Sequence, residues 1–340
     1  MKENRIAKAL FLALGLVILT VPALAQTAAP FPSGRQISLY VGTNPGGMND
    51  TLMRIVSRHI GKYLPGNPAV VAKNMPGAGG RKLATYLYTQ AQRDGTEFGV
   101  FQRAISTDPL LMDPTLPFEM PKFTWIGTPS STTDICAVWH EAPVKNIADI
   151  RQTELILAGS GGERAQMNLL INLLGGKVRA IVGFPGGPAM NLAMEWGEVH
   201  GRCALSWEAT KTSYADWLKE NKIKPIVQFA LKKNADLPNV PLITDFARSD
   251  EDRKALEIIL SPQSVGFPFV APPGVLPEVK TILREAFTKS LKDPAVIAEA
   301  AKIGFEFNEG KGADLEKLMA DVYSNPPAVV DRAKALIAGK

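Results

Sequence analysis

The stretch Asn44-Pro45-Gly46-Gly47-Met48-Asn49-Asp50 separates two segments of opposite periodicity. Before it, Ile37-Ser-Leu-Tyr-Val41 has the β-branched and aromatic side chains that are typical of a strand. After it, apolar residues recur at three- and four-residue spacing, which predicts a helix that Asn49 or Asp50 would cap. These apolar residues are Leu52, Ile55, Val56, Ile60, Tyr63 and Leu64. A glycine turn at a helix N-terminus presents free N–H groups and the positive end of a dipole, so we predict that an anionic group binds there.

Further glycine-rich turns follow predicted strands at 76–80, 159–162 and 184–187. The Pro-Gly-Gly of 185–187 repeats that of 45–47, and each copy lies between a strand and a helix. Alternating strands and helices predict parallel α/β sheets, whose ligands bind beyond the carboxyl ends of the strands. A single turn of this kind is common in proteins that bind nothing, whereas two copies favour two α/β lobes that face one cleft.

The candidate ligand contacts come from these turns and from side chains close behind predicted strands. They are Asn44, Gly46, Gly47, Met48, Asn49, Gly77, Ala78, Gly79, Arg103, Ser160, Gly161, Gly162, Pro185, Gly186, Gly187, Ser206 and Trp207. For the serines and Asn44, capping or turn chemistry is an equally good interpretation. Trp207 either walls the cleft or packs in the core. Arg103 is expected to face a ligand carboxylate, and Arg54 to form a structural ion pair.

The first 25 residues have the pattern of a cleaved signal peptide. Lys2, Arg5 and Lys8 precede the apolar run 9–21, and Ala23-Leu24-Ala25 fits the cleavage rule. The apolar run is shorter than the roughly 20 residues that a membrane-spanning helix needs. We therefore expect export with cleavage after Ala25. The formal net charge of the whole chain is +5, without a basic cluster, which argues against nucleic acid as a partner.

The two cysteines, Cys136 and Cys203, both lie in short strand-like runs. In an exported protein such a pair permits one disulfide, and two buried unpaired cysteines are an equally good interpretation.

No catalytic, metal or cofactor motif is complete. The three histidines lack metal-ligand spacing, and no dinucleotide or phosphate-loop fingerprint is present, so we expect no metal and no cofactor. Ala158-Gly-Ser160-Gly-Gly162 comes close to a nucleophile elbow, with alanine in place of its first glycine. Glu195 and His200 are its only downstream partners in the required order, and they are too close in sequence to build a triad with ease. A secreted esterase that uses Ser160 therefore remains an alternative to a binding protein.

Several motifs together resemble the receptors of tripartite tricarboxylate transporters, also called Bug proteins. The resemblance covers residues 36–338. Its motifs are Pro45-Gly46-Gly47-Met-Asn-Asp50-Thr-Leu-Met-Arg54, Asn74-Met75-Pro76-Gly77-Ala78-Gly79-Gly80, Asp94-Gly95-Thr96, Leu237-Pro-Asn-Val-Pro241 and Phe269-Val-Ala-Pro-Pro273. The chain departs from the family pattern at Gly159-Ser160-Gly161-Gly162-Glu163-Arg164 and at Gly183-Phe-Pro-Gly-Gly187. Both departures lie in turns that would contact the ligand, and these contacts would determine which ligand binds.

This resemblance implies a periplasmic-binding-protein-like fold of the Venus-flytrap, type II-like class, with a mostly parallel sheet in each of two α/β lobes. It implies a small organic carboxylate held by backbone amides and waters, and delivery to a permease with a large and a small membrane subunit. A receptor for another transporter or for a signalling partner is the alternative among binding proteins. We expect a periplasmic monomer that is not an enzyme.

The predicted domain assignment follows from the strand pattern and the resemblance. The first lobe takes 35–132 and 262–340, including the C-terminal helices, and the second lobe takes 133–261. Hinge strands are expected near 125–133 and 262–270, where the chain passes between the lobes.

Overall fold

Two mixed β-sheets and their surrounding helices make up the described part of the chain, residues 34–159 and 163–339 of a computed structural model. The predicted signal peptide and the predicted contacts Ser160, Gly161 and Gly162 lie outside the described residues. Among the described residues, no helix has the length and apolar character that crossing a membrane requires.

The strands and helices alternate along most of the chain. The strands are β1 (Ile37–Val41), β2 (Val70–Asn74), β3 (Glu97–Val100), β4 (Thr124–Thr128), β5 (Asp134–Trp139), β6 (Leu155–Gly159), β7 (Val178–Val182), β8 (Gly201–Ser206), β9 (Ile223–Phe229), β10 (Phe269–Ala271) and β11 (Gly310–Lys311). The α-helices are α1 (Met48–His59), α2 (Arg81–Thr89), α3 (Asp108–Leu111), α4 (Arg164–Asn172), α5 (Gly187–Glu195), α6 (Trp207–Ser213), α7 (Ala215–Lys219), α8 (Asp250–Val265), α9 (Pro277–Leu291), α10 (Pro294–Ala301), α11 (Gly312–Tyr323) and α12 (Pro327–Ile337). Short 3-10 helices include Ala78–Gly80 and Arg103–Ser106.

The first sheet has six strands in the order β11-β4-β10-β3-β1-β2, and the second has five in the order β7-β6-β8-β5-β9. β1 pairs in parallel with β2 and β3, and β6 pairs in parallel with β7 and β8. The two-lobed α/β class is as expected, but the sheets are mixed rather than mostly parallel. The reason is that β5 and β10, which lead the chain from one sheet into the other, run opposite to their neighbours.

The core of the first sheet explains why the opening stretch folds as it does. All five residues of β1 are buried, as expected for a parallel strand that is covered on both faces. Val56 and Ile60 pack on one side of this core, and the rings of Phe269 and Phe287 lie 4.8 Å apart within it. Burying each such side chain contributes about 1.5–3 kcal/mol.

Cys136 and Cys203 are joined by a disulfide between β5 and β8. The pairing of these strands shifts between Ile135 and Ala137, and Ala204 has a φ of 55°, so β8 bulges opposite Cys136. The Cα atoms of the two cysteines are 3.9 Å apart. The bridge fixes β8 against β5 in the middle of the second sheet.

The final helix departs from the predicted assignment of 262–340 to the first lobe. α12 packs against α8 and against α4, which crosses over between β6 and β7 of the second sheet. Asn168 donates to the carbonyl of Ile337 at 2.8 Å, and Asn172 donates to the carbonyls of Leu336 and Ala338 at 3.0 Å. The last carbonyls of a helix lack intrahelical donors, and these two asparagines supply them.

The second crossing between the sheets also differs from the predicted hinge strand at 262–270. Residues 262–265 end the 16-residue α8, which the sequence analysis does not predict, and only Phe269–Ala271 is a strand. Ser249 caps α8 by accepting a hydrogen bond from the Asp252 amide at 3.0 Å. The two crossings lie side by side, because Thr132 N donates to Gln263 O at 2.8 Å and Phe267 N donates to Thr128 Oγ1 at 3.0 Å.

Gly266 is required where the two crossings meet. Its φ is +61°, and a Cβ added there would lie 1.9 Å from the carbonyl oxygen of Ser130. We predict that Gly266→Ala lowers the free energy of unfolding by about 3 kcal/mol or more, since backbone strain and steric overlap add. Gly197→Ala is the matched control, because Gly197 has a φ of +72° with nothing within 4 Å of an added Cβ. Urea unfolding that gives both variants equal stability would contradict the steric argument.

Candidate functional site

The turn at 44–50 is built by a carboxylate that reaches back from the helix. α1 begins at Met48 after Gly47, so neither Asn49 nor Asp50 is its N-cap, contrary to the prediction. Asp50 lies within the first turn, and its Oδ2 accepts a hydrogen bond from the amide of Gly46 at 3.0 Å. Gly46 has a φ of +94°, which the turn needs and which glycine adopts readily.

The same carboxylate anchors the turn to the neighbouring strand. Arg54 Nε lies 3.0 Å from both oxygens of Asp50, and Arg54 Nη2 donates to Asn74 Oδ1 at 2.6 Å. Asn74 Nδ2 completes the network by donating to Asp50 Oδ1 at 2.8 Å and to the carbonyl of Thr43 at 3.0 Å. The predicted structural ion pair of Arg54 is confirmed. The network holds the β1–α1 turn against the end of β2.

The pKa of Asp50 lies below its usual range. Burial alone would raise the pKa, but hydrogen bonds from Arg54, the Gly46 amide and Asn74 outweigh the burial and lower it. The carboxylate therefore stays ionised at neutral pH and keeps its acceptor role.

The donors that remain for a ligand are in the first turn of α1. The amide of Gly46 already donates to Asp50, so it is not a free donor of this turn, and the predicted ligand contact of Gly46 stays a prediction. In an α-helix the first amides have no intrahelical acceptor, and here those include Met48 and Asn49. An added Cβ on Gly47 would have nothing within 4 Å, and the Met48 side chain is 43% exposed, so this side of the turn is open.

The turn at 77–80 lies beside the first one. Gly77, Ala78, Gly79 and Gly80 all have positive φ values, of 148°, 46°, 65° and 100°. A turn of this kind presents backbone amides to an anion, although the Gly80 amide already donates to the Gly77 carbonyl at 2.9 Å. A Cβ on Gly42 would lie 3.2 Å from the Cα of Gly80, so the two first-lobe turns are adjacent.

Arg103 follows β3 at the same edge of the first sheet. It pairs with a carboxylate of the protein, in the position where a ligand carboxylate was expected. Its Nη2 lies 3.0 and 2.8 Å from the two oxygens of Asp134, and its Nη1 donates to Thr132. Asp134 is 2% exposed and also accepts from Gln166 Nε2 at 3.0 Å and Gln263 Nε2 at 3.3 Å. Sequence reasoning missed Asp134, although an acidic residue that opens an otherwise apolar strand is a usable signal.

In the second lobe, the turn 183–187 lies at the carboxyl end of β7. Gly183 and Gly186 have φ values of +107° and +156°, and α5 starts at Gly187 with Pro188 in its first turn. Added Cβ atoms at Gly183 and Gly186 would meet nothing within 4 Å, so this turn is also open. It repeats the strand–turn–helix geometry of the first-lobe turn.

Ser206 and Trp207 have different surroundings. Ser206 caps α6, with Oγ accepting from the Ala209 amide at 3.4 Å and donating to Glu208 Oε2 at 2.9 Å. Trp207 is 7% exposed, packs with Ile135 and Leu205, and donates from Nε1 to Asp236. Trp207 belongs to the core, so its prediction as a ligand contact is wrong.

One cavity of about 410 Å³ is lined by Met48 and Ser206 of the predicted site, whereas the 77–80 turn, Arg103 and the 183–187 turn do not line it. Met48 from the first-lobe turn, Ser130–Thr132 from the first crossing and Ser206 from the end of β8 all line it, and α6 and residues 303–306 close its outer side. Its volume falls within the range of about 300–1,000 Å³ that small-molecule sites occupy.

The family model for the tripartite tricarboxylate transporter family receptor matches residues 52–335 of the 340-residue chain. The chain belongs to this family. Members are periplasmic solute receptors rather than enzymes, and the family that the sequence motifs predict is confirmed.

Similar proteins agree with this assignment. A protein of Agrobacterium vitis, encoded in the TAR-I ttuE-ttuC' intergenic region, is 25% identical over 305 residues, which cover 86% of this chain and 82% of the relative. The fold matches that of a TctC solute-binding protein from Polaromonas, with a TM-score of 0.68 at 18% identity over 89% of this chain and 98% of that one. It also matches MatC from Rhodopseudomonas palustris, with a TM-score of 0.57 at 21% identity over 91% and 100% of the two chains.

The Asp50 network gives a testable prediction. We expect Asp50→Asn to lower the free energy of unfolding by about 1–3 kcal/mol at pH 7, because charge-assisted hydrogen bonds in a buried setting are lost. Since the folded-state pKa of Asp50 is lowered, its contribution is complete above the ordinary value of 3.8 and is lost as the pH falls below that value. Urea titrations at pH 7 and pH 3 measure both effects.

The matched control is Glu285→Gln, which breaks an exposed pair with Lys289 four residues away. Such a pair contributes at most about 0.5 kcal/mol. An Asp50→Asn variant as stable as this control, or a stability loss that does not shrink at pH 3, would contradict the anchoring role of Asp50.

Proposed function

We propose that this chain is an exported receptor that captures a small organic carboxylate between two lobes and delivers it to a permease with a large and a small membrane subunit. The observation that carries the proposal is the pairing of two open strand–turn–helix junctions, one on each sheet, in a member of this receptor family. Export would use residues 1–25, and the receptor would act in the periplasm as a monomer.

The proposed ligand contacts in the first lobe are amides of the turns at 47–49 and 77–79, with Asn44 beside them. Those in the second lobe are Ser160–Gly162, Pro185–Gly187 and Ser206. An anion bound by oriented amides needs no formal cation, because the helix ends already carry partial positive charge. The ligands of similar structures support a carboxylate, since MatC contains bound malate and another Rhodopseudomonas palustris protein contains adipate.

The proposed movement is closure of the lobes about the two adjacent crossings at 128–133 and 266–269. These crossings are the short segments between β4 and β5 and between α8 and β10. When domains close around a ligand, a few residues in loops or at the ends of elements commonly take up the change in φ and ψ. The assignment of 35–132 and 262–340 to the first lobe and of 133–261 to the second stays a prediction.

We propose that the chain is not an esterase. His200, the only histidine after Ser160 in the sequence, accepts at Nδ1 from the amide of Ile156 at 3.1 Å. Ile156 lies near the start of β6, whereas Ser160 follows the end of that strand at Gly159. Three residues of strand separate Ile156 from Gly159, which is about 10 Å, so a His200–Ser160 pair is disfavoured.

The test is a thermal-shift screen of the mature protein, residues 26–340, against acetate, succinate, malate, adipate, citrate and benzoate. A carboxylate present at 100 times its dissociation constant stabilises the fold by about 2.7 kcal/mol, which raises the unfolding temperature by several degrees. Screening protein that has been unfolded, dialysed and refolded removes any ligand that was carried through purification. We expect at least one carboxylate to stabilise the refolded protein.

A parallel assay of p-nitrophenyl acetate hydrolysis compares the unchanged protein with Ser160→Ala. Hydrolysis that the substitution abolishes would support the esterase instead. Refolded protein that no carboxylate stabilises would contradict carboxylate capture.

A further inference from the structure

Arg202 is a buried cation in the centre of the second sheet. It lies on β8, paired with Ala158 of β6 on one side and Ala137 of β5 on the other. The residue is 7% exposed, and its Nε has no hydrogen-bond partner among the described residues. Ala158 directly precedes the end of β6, so Arg202 lies close to the carboxyl edge where the second-lobe turns begin.

The guanidinium packs directly under the turn that opens α5. Its Nη1 donates to Asn191 Oδ1 at 3.0 Å and approaches the carbonyl of Gly187 at 3.4 Å. A Cβ added to Gly187 would lie 3.2 Å from Nη1, so glycine is what allows the cation to approach so closely. Asn191 is itself buried.

The carboxylate at the N-terminus of α4, Glu163, acts on the same cation. Burial lowers the pKa of Arg202, while the Tyr214 side chain and the Glu163 carboxylate act in the opposite direction. An arginine remains protonated at neutral pH despite such a shift. Glu163 is buried, and its Oε2 would lie 3.6 Å from a Cβ added to Gly159, which places this carboxylate beneath the end of β6. Arg202 therefore lies behind the turn that opens α5, and the Glu163 carboxylate favours its charged form.

We propose that Arg202 is a positioning residue of the ligand site, which braces the 184–187 turn and adds a buried positive charge behind it, so that the second lobe selects an anionic group. This inference rests on the proposed carboxylate capture and adds the element that sets the charge preference of the second lobe.

The test compares Arg202→Met, which keeps much of the volume and removes the charge, with Arg202→Lys, which keeps the charge. The probe is the tightest-binding carboxylate of the six screened above, together with the corresponding amide. Isothermal titration gives the ratio of the two affinities. We expect Arg202→Met to lower this carboxylate-to-amide ratio about tenfold or more, because one charged interaction is lost, and Arg202→Lys to lower it less.

Arg179→Met is the matched control, since Arg179 is an exposed arginine on β7, two strands from β8 in the same sheet, and pairs with Glu154. It removes the same charge from the same sheet, and its ratio should equal that of the unchanged protein. A purely structural role for Arg202 would lower the unfolding temperature of Arg202→Met and leave the ratio unchanged, and that result overturns the proposal.

If Arg202→Met does not fold, Asn191→Ala provides the second variant. It keeps the cation and removes the acceptor that holds the guanidinium under α5. A reduced ratio supports the proposal, and an unchanged ratio overturns it.

If the protein without substitutions binds none of the carboxylates, that result contradicts the proposed function itself and removes this inference with it. Binding by the unchanged protein with an equal ratio in the variants overturns the role of Arg202 alone.

Discussion

The carboxylate of Asp134 is buried at the point where the chain passes from the first sheet to the second, and side chains from three separate elements donate to it. Arg103 follows β3 of the first sheet, Gln166 belongs to α4 of the second lobe, and Gln263 lies near the end of α8. Burying an ion costs several kcal/mol unless it is paired and hydrogen-bonded, so the elements that satisfy Asp134 are held together. Through this one carboxylate, the segment after β3, α4 and the end of α8 are joined at the first crossing.

Charged side chains near the first-lobe turns pair with other groups of the protein. Arg54 is paired with Asp50 and Arg103 with Asp134, whereas Arg202 bonds to neutral acceptors behind the 184–187 turn and keeps its charge there. The groups left for an anion are backbone amides at helix ends, whose orientation the fold fixes in advance. Preorganised dipoles need little rearrangement when a ligand arrives, and a small change at one turn alters which anion fits. A receptor family can thus change its solute by altering a few turn residues on a constant frame.

The parts of the fold that depend on local chemistry could be predicted from the sequence. Successive residues determine the strand at 37–41, the glycine turn and the helix after it, and the structure has all three elements at these positions. The helix over 250–265 was not predicted, because its apolar positions are mixed with charged ones and Pro262 lies inside it. The contact of α12 with α4 depends on Asn168 and Asn172, which lie more than 150 residues before the end of α12 in the sequence. No local sequence pattern indicates this contact.

The candidate site divides in the same way. Turn geometry at 46–48 and 183–187 could be predicted, since proline and glycine determine it locally. The partners of individual side chains could not, because Asp50, Arg103 and Trp207 take their roles from residues brought close only by folding. A lone arginine behind a strand is equally suited to a ligand carboxylate and to a buried aspartate, and Asp134 was the partner that tertiary structure supplied.

The most direct test of the account is an amide chemical-shift titration of the isotope-labelled mature protein with the carboxylate that stabilises it most. Met48 and Asn49 report on the first lobe, and Gly186 and Gly187 report on the second. Because one anionic ligand would be bound by both turns, all four amide resonances are expected to shift together with one dissociation constant. Shifts confined to one lobe, or separate dissociation constants for the two lobes, would contradict capture between them.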